Sequence, residues 1–429
     1  MKVAIYTLGC KVNQYETQAM EQTLRAKGHQ VVDFSDEADA YVVNTCSVTA
    51  VSDQKSRQAI HRVQKQHPAA VVAVCGCYPQ THAEDVRKLG VDLIAGTGDR
   101  EGFITLLEEA AAGKKNLEAI DRSFERRTFE VLPAGGMEGR TRAMLKIEDG
   151  CVNFCTYCII PYARGPVRSL PMDKAAEQVR ALRSQGYREL VVTGIEISSY
   201  GHDLKDGTTL IDLLELIARE GGEMRIRLGS LEPRTVTREF CERAKKLPTL
   251  CPHFHLSMQS GCDATLRRMN RRYDTARYYE SVELLREYFD DPAITTDLIT
   301  GFPEETEEEF GETLAFIEKC GFAAMHIFPY SIRPGTKAAA MAQVDMSVRE
   351  ERAARAAAVA ERMHQGYLAR CVGKTFPVLF EQDRGEGSVG HAPNYMPVTV
   401  DVKGLHNTVQ NVRITAVDGD GLRGEPEET

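Results

Sequence analysis

The stretch Lys146–Gly165, KIEDGCVNFCTYCIIPYARG, decides how this chain is read, because it spaces three cysteines as Cys151-x3-Cys155-x2-Cys158. Three thiolates this close, with no fourth ligand at comparable spacing, suit a cubane 4Fe-4S cluster in which three irons are held by sulfur and the fourth is open. An open iron binds a small molecule. A structural zinc knuckle and a chance cluster are the alternatives, but zinc sites close with a fourth Cys or His nearby, and none follows until His202.

Outward from this loop, AMLKIE (143–148) leads into the cysteines and opens a series of apolar runs: ELVVTG (189–194), RIRLGS (225–230), HFHLSM (253–258), ITTDLITG (294–301) and AAMHIFPY (323–330). Helical segments separate them, so the region reads as six strand-helix units, too few for a closed eight-unit barrel. Upstream, residues 121–142 lose apolar periodicity and contain Pro133, Gly135, Gly136 and Gly139; they read as a linker with an edge strand at 128–132. Residues 1–120 alternate buried strands at 3–8, 40–44, 70–76 and 92–97 with helices at 16–27, 52–66 and 101–112, the pattern of an open, doubly wound parallel sheet. Ligands in such sheets bind beyond the carboxyl ends of the strands. Cys10, Cys46 and Cys77 follow three of those ends. They read either as a second 4Fe-4S site with an open iron or as three unrelated small buried residues; Cys75, inside an apolar run, reads as strand packing.

Downstream, residues 347–370 form an Ala- and Arg-rich helix, and the tail breaks into short alternating runs separated by Gly, Asn and Asp, which implies a small antiparallel β-barrel. The divisions expected are 1–120, the linker 121–142, a central domain at 143–366 and a small barrel at 367–429. Of 429 residues, 42% are hydrophobic and 27% charged, and no apolar run approaches the roughly 18 residues of a membrane span. The first residues show no leader pattern, and twelve cysteines without the density of a disulfide scaffold fit a reducing compartment; the expected location is the cytoplasm. The net charge of −9 weighs against nucleic acid, but local basic runs such as RRMNRR (267–272) cut across that average.

The Cys-x3-Cys-x-aromatic-Cys pattern, with Tyr157 as its aromatic, resembles the radical S-adenosylmethionine (SAM) superfamily. The three cysteine-bearing strand ends upstream and the barrel-like tail extend the resemblance along the whole chain to the radical SAM methylthiotransferases. That resemblance implies an N-terminal domain with an auxiliary cluster, a central partial (β/α)6 barrel and a C-terminal RNA-binding TRAM domain. GCKVNQYE around Cys10, TGIEISSYG (193–201), RLGSLEP, HFHLSMQSG and TTDLITGFPEET look like the branch that acts on N6-threonylcarbamoyladenosine at position 37 of tRNAs reading ANN codons. Alternatives are the branches acting on isopentenyladenosine or on an aspartate of ribosomal protein S12, and, from another class, a radical SAM methylase or oxidase whose second cluster conducts electrons.

The resemblance also implies roles. Cys151, Cys155 and Cys158 would ligate the SAM cluster, and Cys10, Cys46 and Cys77 the auxiliary cluster. Tyr157 would pack beside the adenine side of SAM, Thr193, Gly194 and Glu196 would approach its methionyl end, Ser257 and Gln259 its ribose or carboxylate, and Gly301 its adenine. Arg164, Arg168, Arg271 and Arg272 are the expected RNA contacts near the mouth. The implied partners are a tRNA anticodon loop, a flavodoxin or ferredoxin type electron donor and a sulfur source, with no membrane.

Overall fold

A computed structural model describes residues 1–136 and 139–427. The N-terminal sheet has six parallel strands in the order Gln30–Val32, Lys2–Thr7, Ala40–Thr45, Val71–Gly76, Leu93–Ala95, Leu117–Ala119. Ala40–Thr45 and Val71–Gly76 are buried along their whole length, which explains their unbroken apolar sequence. The direction of strand addition reverses between Lys2–Thr7 and Ala40–Thr45, so a crevice opens at the carboxyl ends of those two strands. Cys10 and Cys46 flank that crevice, and Cys77 opens the five-residue helix after the neighbouring strand. The first helix, Lys11–Ala26, begins five residues earlier than its apolar pattern suggests.

The edge strand expected at 128–132 does not form. Its backbone is taken up by side chains instead: the Leu132 carbonyl accepts from the Tyr15 hydroxyl at 2.9 Å and from Gln178 Nε2 at 2.8 Å. The sheet edge is occupied by Leu117–Ala119, a strand too short to show a period in sequence.

The central domain is an open barrel of six parallel units: Arg142–Lys146, Glu189–Thr193, Arg225–Leu228 continued by Ser230–Leu231, His253–Leu256, Ala293–Thr300 and Ala324–Pro329, paired in chain order. The third strand is interrupted at Gly229, where a Cβ would lie 2.9 Å from the Val192 carbonyl oxygen. Period-two alternation sorts the side chains. Ala143, Leu145, Leu190, Val192, Ile226 and Leu228 share a core with Val179 and Leu182 of one covering helix and Leu213, Leu214 and Ile217 of another. The alternate residues Met144, Lys146, Glu189, Val191, Arg225 and Arg227 point into the lumen.

The helix Met346–Cys371 leads to a closed five-stranded barrel, Thr375–Arg384, Gly387–His391, Pro397–Val400, Val409–Asp418 and Gly421–Pro426. Tyr367, Leu368 and Cys371 at the end of that helix belong to the small barrel's core. Two lumen arginines tie this barrel to the central one. Arg227 grips Glu189 with two bonds, 2.8 and 3.0 Å, and donates to the carbonyls of Pro393 at 2.9 Å and Ala392 at 3.3 Å, while Arg225 pairs with Glu189 at 2.7 Å and donates to the Pro377 carbonyl at 3.1 Å. Burial would raise the Glu189 carboxyl, but Arg227 and Arg225 hold it down at about 2. Arg227→Ala removes four bonds from a buried site, so we expect a loss of about 3 kcal/mol in stability, read as a shifted urea midpoint; an unchanged midpoint would show that the barrel junction does not depend on this side chain.

Candidate active site

The carboxyl ends of the N-terminal sheet face those of the central barrel. The helix Cys77–Thr81 packs on the helix Ile160–Arg164 that follows the Cys151–Cys158 loop. The Thr97 hydroxyl donates to the Ala163 carbonyl at 2.7 Å, and Arg333, beyond the last barrel strand, reaches Asp53 at 2.6 Å and the Ser47 hydroxyl at 2.8 Å beside Cys46. Both cysteine triplets therefore border one interdomain space.

Asn13 fixes the first triplet. Its amide donates to the carbonyls of Leu8 and Thr45, each at 2.8 Å, which locks the Cys10 turn to the Cys46 turn. Gly9, at φ +103°, lets the two turns touch: a Cβ there would lie 2.7 Å from Cys46 Sγ. Cys10, Cys46 and Cys77 interact electrostatically with one another, and burial pushes the Cys77 thiol up to about 12. Cys75 lies in the sheet core.

The RRMNRR turn clamps the second triplet. Asn270 Nδ2 donates to the carbonyls of Asn153 at 3.2 Å and Phe154 at 3.1 Å, and Thr156 N and Oγ1 donate to the carbonyls of Met269 and Arg268. Burial pushes the Cys158 thiol up to about 12, and Cys151 also rises. Buried thiols held in the neutral form become ligands when a metal displaces their protons. Among the described residues no three His, Cys, Asp or Glu side chains converge on a single ion. Cys151, Cys155 and Cys158 on one loop offer one thiolate to each of three irons, the donor set of a 4Fe-4S cluster with an open fourth iron.

The expected SAM contacts are distributed around this loop. Glu196 interacts with Cys151, and its amide donates to Glu148 Oε2 at 2.7 Å. Burial raises the Glu196 carboxyl to about 7; Arg271 opposes the rise and Glu232 adds to it. Thr193 closes its strand, with its carbonyl accepting from Ile147 N at 2.9 Å. Gly194 is tight against Glu148, where a Cβ would stand 3.0 Å from its carbonyl oxygen. Tyr157 packs edge-on to Phe302 with ring centres 6.4 Å apart. The Ser257 carbonyl accepts from the Tyr273 hydroxyl, and Gln259, at φ +69°, bridges to the next strand through Ile299 N. Gly301 has its Cα face filled by the Arg349 side chain, which would be 2.4 Å from a Cβ, so the protein itself already requires that glycine.

Two of the four arginines expected to meet RNA are buried. Arg164 is 0% exposed: it is bound by Glu16 and donates to Asn13 Oδ1 at 2.8 Å. Arg168 donates to the carbonyls of Arg164 and Pro166 and lies 3.4 Å from Asp149. Neither reaches a phosphate without breaking buried bonds. Arg271 also turns inward, donating to Cys155 Sγ at 3.3 Å and to the Tyr273 hydroxyl at 3.0 Å, while Arg272 alone of the four is exposed.

The buried arginines belong to an ionic centre that sequence reasoning missed. Glu16 of the first helix receives Arg100 at 2.7 Å, Lys146 at 3.0 Å and Arg164, and Asp149 receives Lys146 at 2.7 Å and Arg168. Burial alone would raise the Glu16 carboxyl, but Arg164, Lys146 and Arg100 hold it well below its usual range. The available signal was phase: Asn13 and Glu16 are polar residues three apart on the apolar face of an amphipathic helix. Glu16→Gln removes the carboxylate that three buried cations share, leaving Arg100 without its ion-pair partner and Lys146 and Arg164 with Asp149 alone, so we expect destabilisation by about 3 to 5 kcal/mol in chemical denaturation. Stability within about 0.5 kcal/mol of wild type would contradict a structural role for this carboxylate.

The chain is similar to known proteins. The Radical SAM superfamily profile matches residues 145–317, and that of an uncharacterized protein family, UPF0004, matches residues 2–96. The threonylcarbamoyladenosine tRNA methylthiotransferase MtaB of Bacillus subtilis (strain 168) is 40% identical over 403 residues, 92% of this chain and 89% of that protein. A tRNA-2-methylthio-N(6)-dimethylallyladenosine synthase of Symbiobacterium thermophilum is 34% identical, covering 99% of this chain and 94% of its own. Among solved structures, the radical S-adenosylmethionine methyltransferase TsrM from Kitasatospora setae, with cobalamin and a 4Fe-4S cluster bound, superposes with a TM-score of 0.60 at 14% identity, covering 79% of this chain and 77% of that one; the likeness is one of fold. With identity at this level along nearly its full length, the chain belongs to the radical SAM methylthiotransferase family.

Proposed function

We propose that this enzyme transfers a methylthio group to C2 of N6-threonylcarbamoyladenosine at position 37 of tRNAs reading ANN codons. The observation that carries the reading is the pair of cysteine triplets bordering one space, in a chain 40% identical to a relative named for that reaction. Cys151, Cys155 and Cys158 would hold the cluster that binds SAM, and Cys10, Cys46 and Cys77 the auxiliary one. When bound, SAM and its cluster supply a hydrogen-abstracting radical, and the auxiliary cluster supplies the sulfur. The protein's own groups orient the reactants. Glu196 would accept from the methionine ammonium, the backbone of Thr193 and Gly194 would hold the methionyl end, and Arg271 places positive charge beside Cys155. Ser257 and Gln259 would face the ribose or carboxylate and Tyr157 the adenine, while Arg349 fills the side of Gly301 on which adenine would have to stack. Cys75 is packed in the sheet core, which argues against a four-cysteine, electron-conducting second site. A flavodoxin or ferredoxin type donor, a sulfur source and a cytoplasmic location complete the reading. No helix among the described residues is long and apolar enough to cross a membrane.

At the rim, Phe124, Phe154 and Tyr162 are 39 to 44% exposed, with ring centres 6.0 to 6.2 Å apart. Exposed rings beside the cluster loop are suited to stacking unpaired loop bases, a contact that does not depend on charge. Phe124→Ala, outside the cluster loop, should weaken tRNA binding about tenfold and leave tRNA-free SAM cleavage unchanged. Unaltered affinity would remove these rings from the interface.

Anaerobic reconstitution tests the chemistry. The wild type should hold about eight irons, and the Cys10, Cys46 and Cys77 triple Ala variant about four. That variant should still form 5'-deoxyadenosine with reductant and make no methylthio product. The wild type should modify tRNA carrying threonylcarbamoyladenosine and leave tRNA carrying isopentenyladenosine untouched; the reverse preference would overturn the substrate assignment while keeping the reaction class.

A further inference from the structure

A cavity of about 520 Å3 lies where the three domains meet. Lys11, Gln14 and Gln18 of the first helix form one wall, Arg142 and Arg227 of the barrel lumen another, and Tyr395 of the small barrel a third. Met144 and Val191, also in its lining, are inward-facing residues of the first two barrel strands, so the cavity reaches into the lumen.

Its charge is unbalanced. Arg142 pairs with Glu381 at 2.9 Å, and Glu381 also binds His391 Nδ1 at 2.7 Å. Arg225 and Arg227 share Glu189. Both carboxylates near the cavity are thus taken by arginines, while the Lys11 ammonium has no hydrogen-bond or ion-pair partner among the described residues. An accessible, uncompensated cation beside amide and phenol groups is a receptor for a carboxylate that also carries hydrogen-bonding groups. Lys11 directly follows Cys10, so this wall starts at the auxiliary triplet. On an adenine ring C2 and C6 flank N1, and their outward bonds diverge from that shared edge. A base that turns C2 toward the cysteine triplets therefore carries its N6 substituent to one side of them, where it can lie along the wall that begins at Lys11.

We propose that this cavity receives an acidic N6 substituent of the substrate base, with Lys11 as the contact for its carboxylate; the inference rests on the base-modifying function above. Lys11 thereby sets specificity, separating an acidic substituent from an apolar one of similar size.

The test uses the full-length, anaerobically reconstituted enzyme and two anticodon stem-loop RNAs. One carries N6-threonylcarbamoyladenosine; the other carries the same group with its carboxylate converted to a carboxamide. Affinity is read by fluorescence anisotropy and methylthio formation by mass spectrometry. Wild type should favour the acid by about tenfold or more, the worth of one charge-assisted hydrogen bond. Lys11→Met should bring the ratio near one by weakening the acid alone, and Lys11→Arg should keep most of the preference. Iron content and tRNA-free 5'-deoxyadenosine formation report whether the neighbouring cluster site survives. Should Lys11→Met lose iron, Gln14→Glu serves instead, because a carboxylate on the same wall should repel the acid and spare the amide. A variant with full iron that keeps the wild-type ratio, or that weakens both RNAs alike, overturns the cavity assignment alone. A wild-type enzyme inactive on both RNAs overturns the function and the cavity assignment with it.

Discussion

Glu16 is a carboxylate of the N-terminal domain that three cations, Arg100, Lys146 and Arg164, surround away from water, two of them contributed by the central domain. Everything at the candidate site depends on that meeting. The proposed chemistry would need the two cysteine triplets, which lie on different domains, held at one working distance, and a surface contact alone would let the domains drift. A buried carboxylate with three partners has one low-energy position, since moving either domain strands charge. Such a centre adds little net stability over an apolar one of equal volume; its value lies in fixing geometry. Asn13, one helical turn before Glu16, extends the same constraint to the Cys10 and Cys46 turns.

The centre also reaches the cysteines. Arg100, Lys146, Arg164 and Arg168 pair with Glu16 and Asp149, with Glu130 beside Arg100 and Lys146. Arg164 acts to lower the Cys77 thiol against the rise that burial imposes. On the other side Arg271 stands on Cys155. Burial raises the Cys46, Cys77, Cys151 and Cys158 thiols, while the fixed cations would favour thiolates on binding iron. The topology then gives these groups their place. Strand order reverses beside Cys10 and Cys46, the barrel strands deliver the Cys151 loop at their carboxyl ends, and the small barrel closes the lumen from the opposite side through Arg225 and Arg227.

Much of this was legible in the residues. The cysteine spacings, the buried strands and the six strand-helix units stand where their patterns placed them, because a continuous apolar run or a short-range thiol spacing is a local signal. What was not legible depended on long-range partners. Arg164 and Arg168 look like a basic surface in YARGPVRS; Glu16, the partner of Arg164, is 148 residues away from it, and the helix between Ile160 and Arg164 is too short to show which face is buried. The strand expected at 128–132 has the right composition, but its carbonyls serve Tyr15 and Gln178. Glu148 went unremarked although its carboxylate carries the backbone of Glu196. Three-residue strands such as Gln30–Val32 fall below the length at which periodicity can speak.

The central claim, that this site modifies C2 of a threonylcarbamoylated adenosine in tRNA, is tested most directly by nucleoside mass spectrometry of tRNA from cells with and without the gene. The account predicts that 2-methylthio-N6-threonylcarbamoyladenosine disappears on deletion while its unmethylthiolated precursor accumulates. Persistence of that nucleoside together with loss of the isopentenyl counterpart would contradict it.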